Sequence, residues 1–136
     1  MLCYKNYLKI VRISAWYDIV ISAAFATPWS FALLIGTMTQ LHDGLGLSGQ
    51  LPVAGIYETL FANFFGTVVV IWSIVRLRQT SVFLGRLDGV ARLLFAAWQV
   101  NALMLGASSL IVAFLVVELV FGIIQWWPVA KDSSGG

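Results

Sequence analysis

Four long apolar stretches organise the chain, at about 13–38, 59–76, 88–106 and 109–127. A helix needs ~20 apolar residues to cross a hydrocarbon core, with a range of ~17–25. The first stretch is long enough to tilt or to run past the interface, and the other three are near the minimum. None alternates like a barrel strand, which changes face at every residue over ~10-residue segments. Thr67-Val68-Val69-Val70-Ile71-Trp72, for example, has no period of two. The pattern predicts an all-α polytopic membrane protein. Its expected fold is a single four-transmembrane-helix bundle over 1–130, followed by a disordered tail at 131–136.

Charge adds an orientation. The eight Lys and Arg residues fall in three places: Lys5 to Arg12, Arg76 to Arg92, and Lys131. With four spans these three places share one side, and the positive-inside rule makes that side cytoplasmic. Both termini are then inside. The loop after the first span, with His42, Asp43 and Glu58, is outside, as is a tight turn near Gly106-Ala107-Ser108-Ser109. Lys5, Lys9 and Arg12 before an apolar run superficially resemble a signal peptide. The run is too long for a signal core and lacks a small-residue cleavage site, so it reads as a retained first helix. Short loops and the missing cleavage site point to a bacterial inner membrane.

Composition agrees. The 136 residues are 60% hydrophobic and 10% charged, with a mean hydropathy of +0.92. A soluble domain carries about 25% charged residues, and one this short leaves much of its surface in water. Cys3 is the only cysteine and His42 the only histidine. Paired-thiol redox chemistry, bis-histidine haem ligation and multi-histidine metal sites within the chain are thereby excluded. There is no phosphate-binding glycine loop and no credible Ser-His-Asp set. Adjacent His42-Asp43 is a weak metal signal, and no metal or cofactor is expected. The basic residues hug the predicted membrane edge, so nucleic acid is not an expected partner.

Details of the connections fit this frame. The outer loop carries glycines and Pro52, which favour turns. Val82-Phe83-Leu84, between Arg78 and Arg86, reads as an interfacial segment. Trp126 and Trp127 before Pro128 read as interfacial anchors. Pro28, inside the first stretch, permits a kink.

Polar residues inside a membrane are costly and face other helices or water. The candidates are Asp18, Asn63, Asp88, Arg92, Gln99, Asn101, Glu118 and Gln125. Asp18 lies six residues beyond Arg12, and Arg92 six beyond Arg86, so the two share a depth and can pair. Asp88 is on the same helical face as Arg92. Asp18, Asp88, Arg92 and Arg86 thus form a cytoplasmic-side charge cluster with two open roles. It locks the bundle, or it offers a site for a proton or a headgroup, with Arg86 and Arg92 on an anionic lipid phosphate. Glu118, near the middle of the fourth span, matches the depth of Gln99, and a Glu118–Gln99 hydrogen bond is expected. Here too two roles stand: helix adhesion, or a proton-coupled or ligand-binding carboxyl. Asn63 and Asn101 lie toward the outer side, where they bond to each other or to Glu58.

With no catalytic constellation in view, the expected function is non-enzymatic: an accessory, structural or interaction subunit of a membrane assembly. The alternative is a small transporter, or a lipid- or small-molecule-binding module, using the Glu118 carboxylate. Membrane lipids are the expected partners, with another membrane protein or a second copy of the chain beside them.

Overall fold

A computed structural model describes residues 1–130 of the chain. Among these there are five helices and no strand: α1 (Tyr4–Ala23), α2 (Pro28–Gly44), α3 (Ile56–Arg78), α4 (Val82–Met104) and α5 (Ile111–Trp126). The expected tail at 131–136, with Lys131, lies outside the described residues.

The largest departure from expectation is the first stretch, which is not one helix over about 13–38. It begins at Tyr4, breaks between Ala23 and Pro28, and resumes at 92° to its first half. The cause is local. Proline has no N–H for the carbonyl four residues back and drives the preceding residue to extended backbone. Thr27 is extended accordingly, with φ −134° and ψ 153°. Its hydroxyl accepts from Ser30 N at 3.2 Å, and Ser30 Oγ accepts from Thr27 N at 3.3 Å. This capping box starts a new helix, with Pro28 at the first turn, where its missing donor costs nothing. The Phe25 carbonyl, in neither helix, accepts from Asn63 Nδ2 on α3 at 2.7 Å. The backbone of α3 comes close at Gly66, where a Cβ would stand 2.6 Å from Ala26 N.

The segment 82–84 is helical and forms the first turn of α4, which therefore begins before the expected residue 88. Ser81 caps it by accepting from Leu84 N at 3.2 Å, and an N-cap serine is a strong local start signal.

Two antiparallel pairs make up most of the molecule, α1 packed mainly on α3 and α4 mainly on α5, with α2 against α3. α1 bridges the pairs by packing on both α4 and α5, and α3 reaches α4 through its Trp72 and Arg76 side chains. At one end the two described chain ends meet. Leu2 N donates to Pro128 O, and Ala130 N donates to Leu2 O, each at 2.8 Å. The α3–α4 connection lies at the same end, held by Arg12 Nε donating to Thr80 Oγ1 at 3.1 Å. At the other end the loop after α2 pairs with the α4–α5 turn. Gln50 N donates to Gly106 O and Ser108 N to Gln50 O, both at 2.8 Å. Gly49 makes this possible: it sits at φ 92°, and a Cβ there would run into the Ala107 carbonyl oxygen.

One helix, α3, is long and apolar enough to cross a membrane alone, and the bent α1–α2 pair qualifies if it is one span. α5 is apolar but has only 16 residues, and α4 carries Arg86, Asp88 and Arg92 in its first half. A core helix of a soluble protein is mostly buried, yet only 22% of the most apolar stretch of α3 is buried. Phe61, Phe64, Val68 and Ile71 face outward from it.

Candidate functional site

The two helix pairs are joined by a buried ionic network to which α1, α3, α4 and α5 all contribute. Asp18 comes from α1, Arg76 from α3, Asp88 and Arg92 from α4, and Glu118 from α5. Arg76 and Arg92 are 0% and 2% exposed, and the Asp18 and Glu118 side chains 12% each. Arg92 spends every guanidinium nitrogen on a carboxylate. Nε donates to Asp88 Oδ2 at 3.0 Å, Nη1 to Glu118 Oε2 at 2.9 Å, and Nη2 to Asp18 Oδ2 at 2.7 Å. Arg76 pairs with Asp18 Oδ2 through Nη2 and with Asp88 Oδ2 through Nη1, the latter at 2.6 Å.

Neutral donors and acceptors surround the ions, leaving Arg76 Nε and Gln125 Oε1 buried without a partner. Asp88 Oδ2 also accepts from Gln125 Nε2 at 2.7 Å, and Asp88 Oδ1 from Trp72 Nε1 at 3.1 Å. Ser14 Oγ accepts from Arg76 Nη1 at 3.1 Å and from Gln125 Nε2 at 3.0 Å. Ser73 Oγ accepts from Arg76 Nη2 at 2.9 Å. The Arg92 guanidinium lies over the Phe121 ring, 4.9 Å from its centroid, where a cation is attracted to the ring face. Buried charges survive only when paired and hydrogen bonded, and every charged group here has an ionic partner. Two guanidiniums face three carboxylates, so the network holds one formal negative charge in excess.

The structure brings Asp18, Asp88, Arg92 and Glu118 together and leaves other sequence candidates elsewhere. Arg86 is not in the cluster. Its Nη1 and Nη2 donate to the Trp126 and Trp127 carbonyls at 2.5 and 3.1 Å, capping the open end of α5, where a cation is favoured. Its guanidinium also lies 5.2 Å from the Trp126 ring centroid. The expected Glu118–Gln99 hydrogen bond is absent, because Glu118 takes the stronger ionic donor Arg92. Gln99 Oε1 is left buried without a partner. Asn63 bonds neither Asn101 nor Glu58 but the Phe25 carbonyl at the helix break, and Asn101 is exposed. His42 Nδ1 lies 2.8 Å from Ser108 Oγ, tying the end of α2 to the α4–α5 turn.

Arg76 is the residue that sequence reasoning missed as a member of the site. Near the end of a predicted helix it resembles any flanking cation, and nothing in the chain says that its side chain turns inward. One signal was available. Ser14 and Asp18 are four apart on α1, and Ser73 and Arg76 three apart on α3. Such spacings place two polar groups on one helical face, each within an otherwise apolar run.

Beside the network lies a partly enclosed cavity of about 420 Å³ between the two pairs. Asp18, Asp88, Arg92 and Glu118 form its polar wall, and Gln99 borders it. The remaining lining is apolar and aromatic, including Phe25, Phe31, Trp72 and Trp98. The 92° break borders it as well, through Ser22 and Phe25 at the end of α1 and Phe31 at the start of α2. Such a cavity can hold an apolar body with one polar end directed at the charges. Comparison of the chain with protein-family models, with curated proteins and with solved structures gives no match in any of the three.

Proposed function

We propose that this is a small multi-pass membrane protein that binds an amphipathic small molecule or lipid between its two helix pairs, as a binding or transport module rather than an enzyme. The observation that carries the reading is the apolar cavity of about 420 Å³ ending on buried ionised groups. Ligand cavities run from about 300 to 1,000 Å³, mostly apolar with a few placed polar groups. Ionisable residues inside a membrane mark ligand, ion or proton paths. Irregular backbone at membrane depth is tolerated where it borders a cavity, and broken helices are a recurrent device of transporter sites. The Ala23–Pro28 break fits that pattern.

In this reading the bent α1–α2 pair, α3, α4 and α5 are the four membrane segments. Both termini and the α3–α4 connection are cytoplasmic, on the side of the basic residues. A reporter fused near Gly46 is then outside the cytoplasm and one near Thr80 inside, and the reverse result overturns the topology. Function is tested by native mass spectrometry of the protein extracted gently from its own membrane. A monomer or dimer retaining a small molecule or lipid supports the binding module. A stoichiometric partner protein with an empty cavity refutes it and returns the chain to the accessory role expected from the sequence.

A further inference from the structure

We propose that the ligand of this cavity carries a protonated amine on an apolar body. The inference rests on the cavity being a binding site, as argued above, and names its ligand class from the unused hydrogen-bonding capacity of the wall.

The charged donors of the polar wall are already directed at carboxylates. All three guanidinium nitrogens of Arg92 point at carboxylates, and Trp72 Nε1 is given to Asp88. Three acceptors in the same wall are unused. Asp18 and Glu118 receive their hydrogen bonds on Oδ2 and Oε2. Among the described residues Asp18 Oδ1 and Glu118 Oε1 accept none. Gln99 Oε1, at the same cavity, is buried with no partner. An unsatisfied buried acceptor costs free energy that a donor recovers. A ligand that only accepts hydrogen bonds, such as a quinone or an ester, reaches the Gln99 amide N–H groups and the second N–H of each terminal Arg92 nitrogen but leaves these three oxygens unpartnered.

Charge points the same way. The network carries one more carboxylate than guanidinium, so a single positive charge in the cavity neutralises it and a carboxylate or phosphate is repelled. An ammonium has three donors and no acceptor, which matches the three free oxygens in kind. Trp98 and Phe95 in the same wall suit an apolar or aromatic body and attract a nearby cation.

The test uses the full chain in lipid nanodiscs and three probes with one aromatic frame: naphthylmethylammonium, naphthylmethanol and naphthoate. Binding is measured by calorimetry, with empty nanodiscs subtracted to remove partitioning into lipid. The ammonium is expected to bind at least about tenfold tighter than the alcohol, the return on one charge-assisted hydrogen bond, with the carboxylate weakest. Glu118→Gln is expected to bring the ammonium within about threefold of the alcohol. Because Glu118 also holds Arg92, Gln99→Leu is the second variant. It is expected to weaken the ammonium, leave the alcohol unchanged, and raise the melting temperature of the empty protein by removing an orphaned acceptor. Equal binding of ammonium and alcohol overturns the amine while leaving the cavity a binding site. Tighter binding of naphthoate overturns it too. No binding of any probe above empty nanodiscs overturns both the amine and the binding module.

Discussion

Replacing Arg76 by Met removes the cation that sequence inspection passes over, and its effect can be worked from the structure. Arg76 is 0% exposed and contacts Asp18, Asp88, Ser14 and Ser73. Met has similar length and no charge, so the packing volume is nearly kept and the electrostatic loss dominates. Without Arg76, three carboxylates face Arg92 alone. Breaking a buried pair from one side costs about 3–5 kcal/mol, because a charge is left buried without compensation. Arg76→Lys keeps the charge but loses the planar fork that reaches two carboxylates at once, and falls between Met and wild type.

The assay is reversible unfolding in mixed micelles, followed by fluorescence of the six tryptophans. The control is a double-variant cycle with Asp88→Asn, which removes one of the negative charges that Arg76 neutralises. The double variant is expected to be less destabilised than the sum of the singles by about 1–3 kcal/mol, the usual coupling between residues of one network. A loss under about 1 kcal/mol for Arg76→Met would place this pair in the class of solvent-screened surface ion pairs. Strict additivity in the cycle would show that Arg76 and Asp88 act independently. Either result refutes the network as described.

Arg86→Ala, by contrast, is expected to cost no more than about 1 kcal/mol, with faster amide hydrogen exchange at the last turn of α5 as its main signature. An effect as large as that of Arg76→Met would put Arg86 back in the cluster. Asn63→Leu leaves the Phe25 carbonyl without its donor and is expected to destabilise by about 1–3 kcal/mol, read in the same unfolding assay; no change would mean that water satisfies the break. Gly66→Ala puts a methyl 2.6 Å from Ala26 N and is expected to cost about 1–3 kcal/mol while widening the spin-label distance between α1 and α3, whereas an unchanged distance would mean that the contact is loose. Tyr7→Phe removes the 2.7 Å bond to the Gln125 carbonyl and is expected to cost about 1 kcal/mol; a neutral result would mean that Gln125 is positioned by Asp88 and Ser14 alone.

Where the sequence reading worked, it worked through properties that need no partner. Apolar runs say where helices form, because period and composition are local. Proline at 28 is locally legible as a possible kink, but the size of the turn is not. The 92° angle depends on the capping box, on the Asn63 side chain and on Gly66 letting the α3 backbone approach. Counting residues from the basic flanks put Asp18 and Arg92 at one depth, and their side chains meet at 2.7 Å. The same counting paired Glu118 with Gln99 and failed, because depth does not say which way a side chain faces around its helix.

Composition and charge order by themselves thus determined helices without strands among the described residues, with basic residues near the described N-terminus and the central connection. These are consequences of transfer free energy and of helical period, summed along a chain and indifferent to contacts. The tertiary structure alone decided that Arg76 turns inward, that Arg86 caps α5 instead of joining the cluster, and that Glu118 gives its bond to Arg92. Each choice is a competition among several partners within reach, won by the pairing that leaves the fewest buried charges uncompensated. The cavity belongs to the same level, since it exists only where α1–α3 and α4–α5 are held together by charges at one end and by backbone hydrogen bonds at the other.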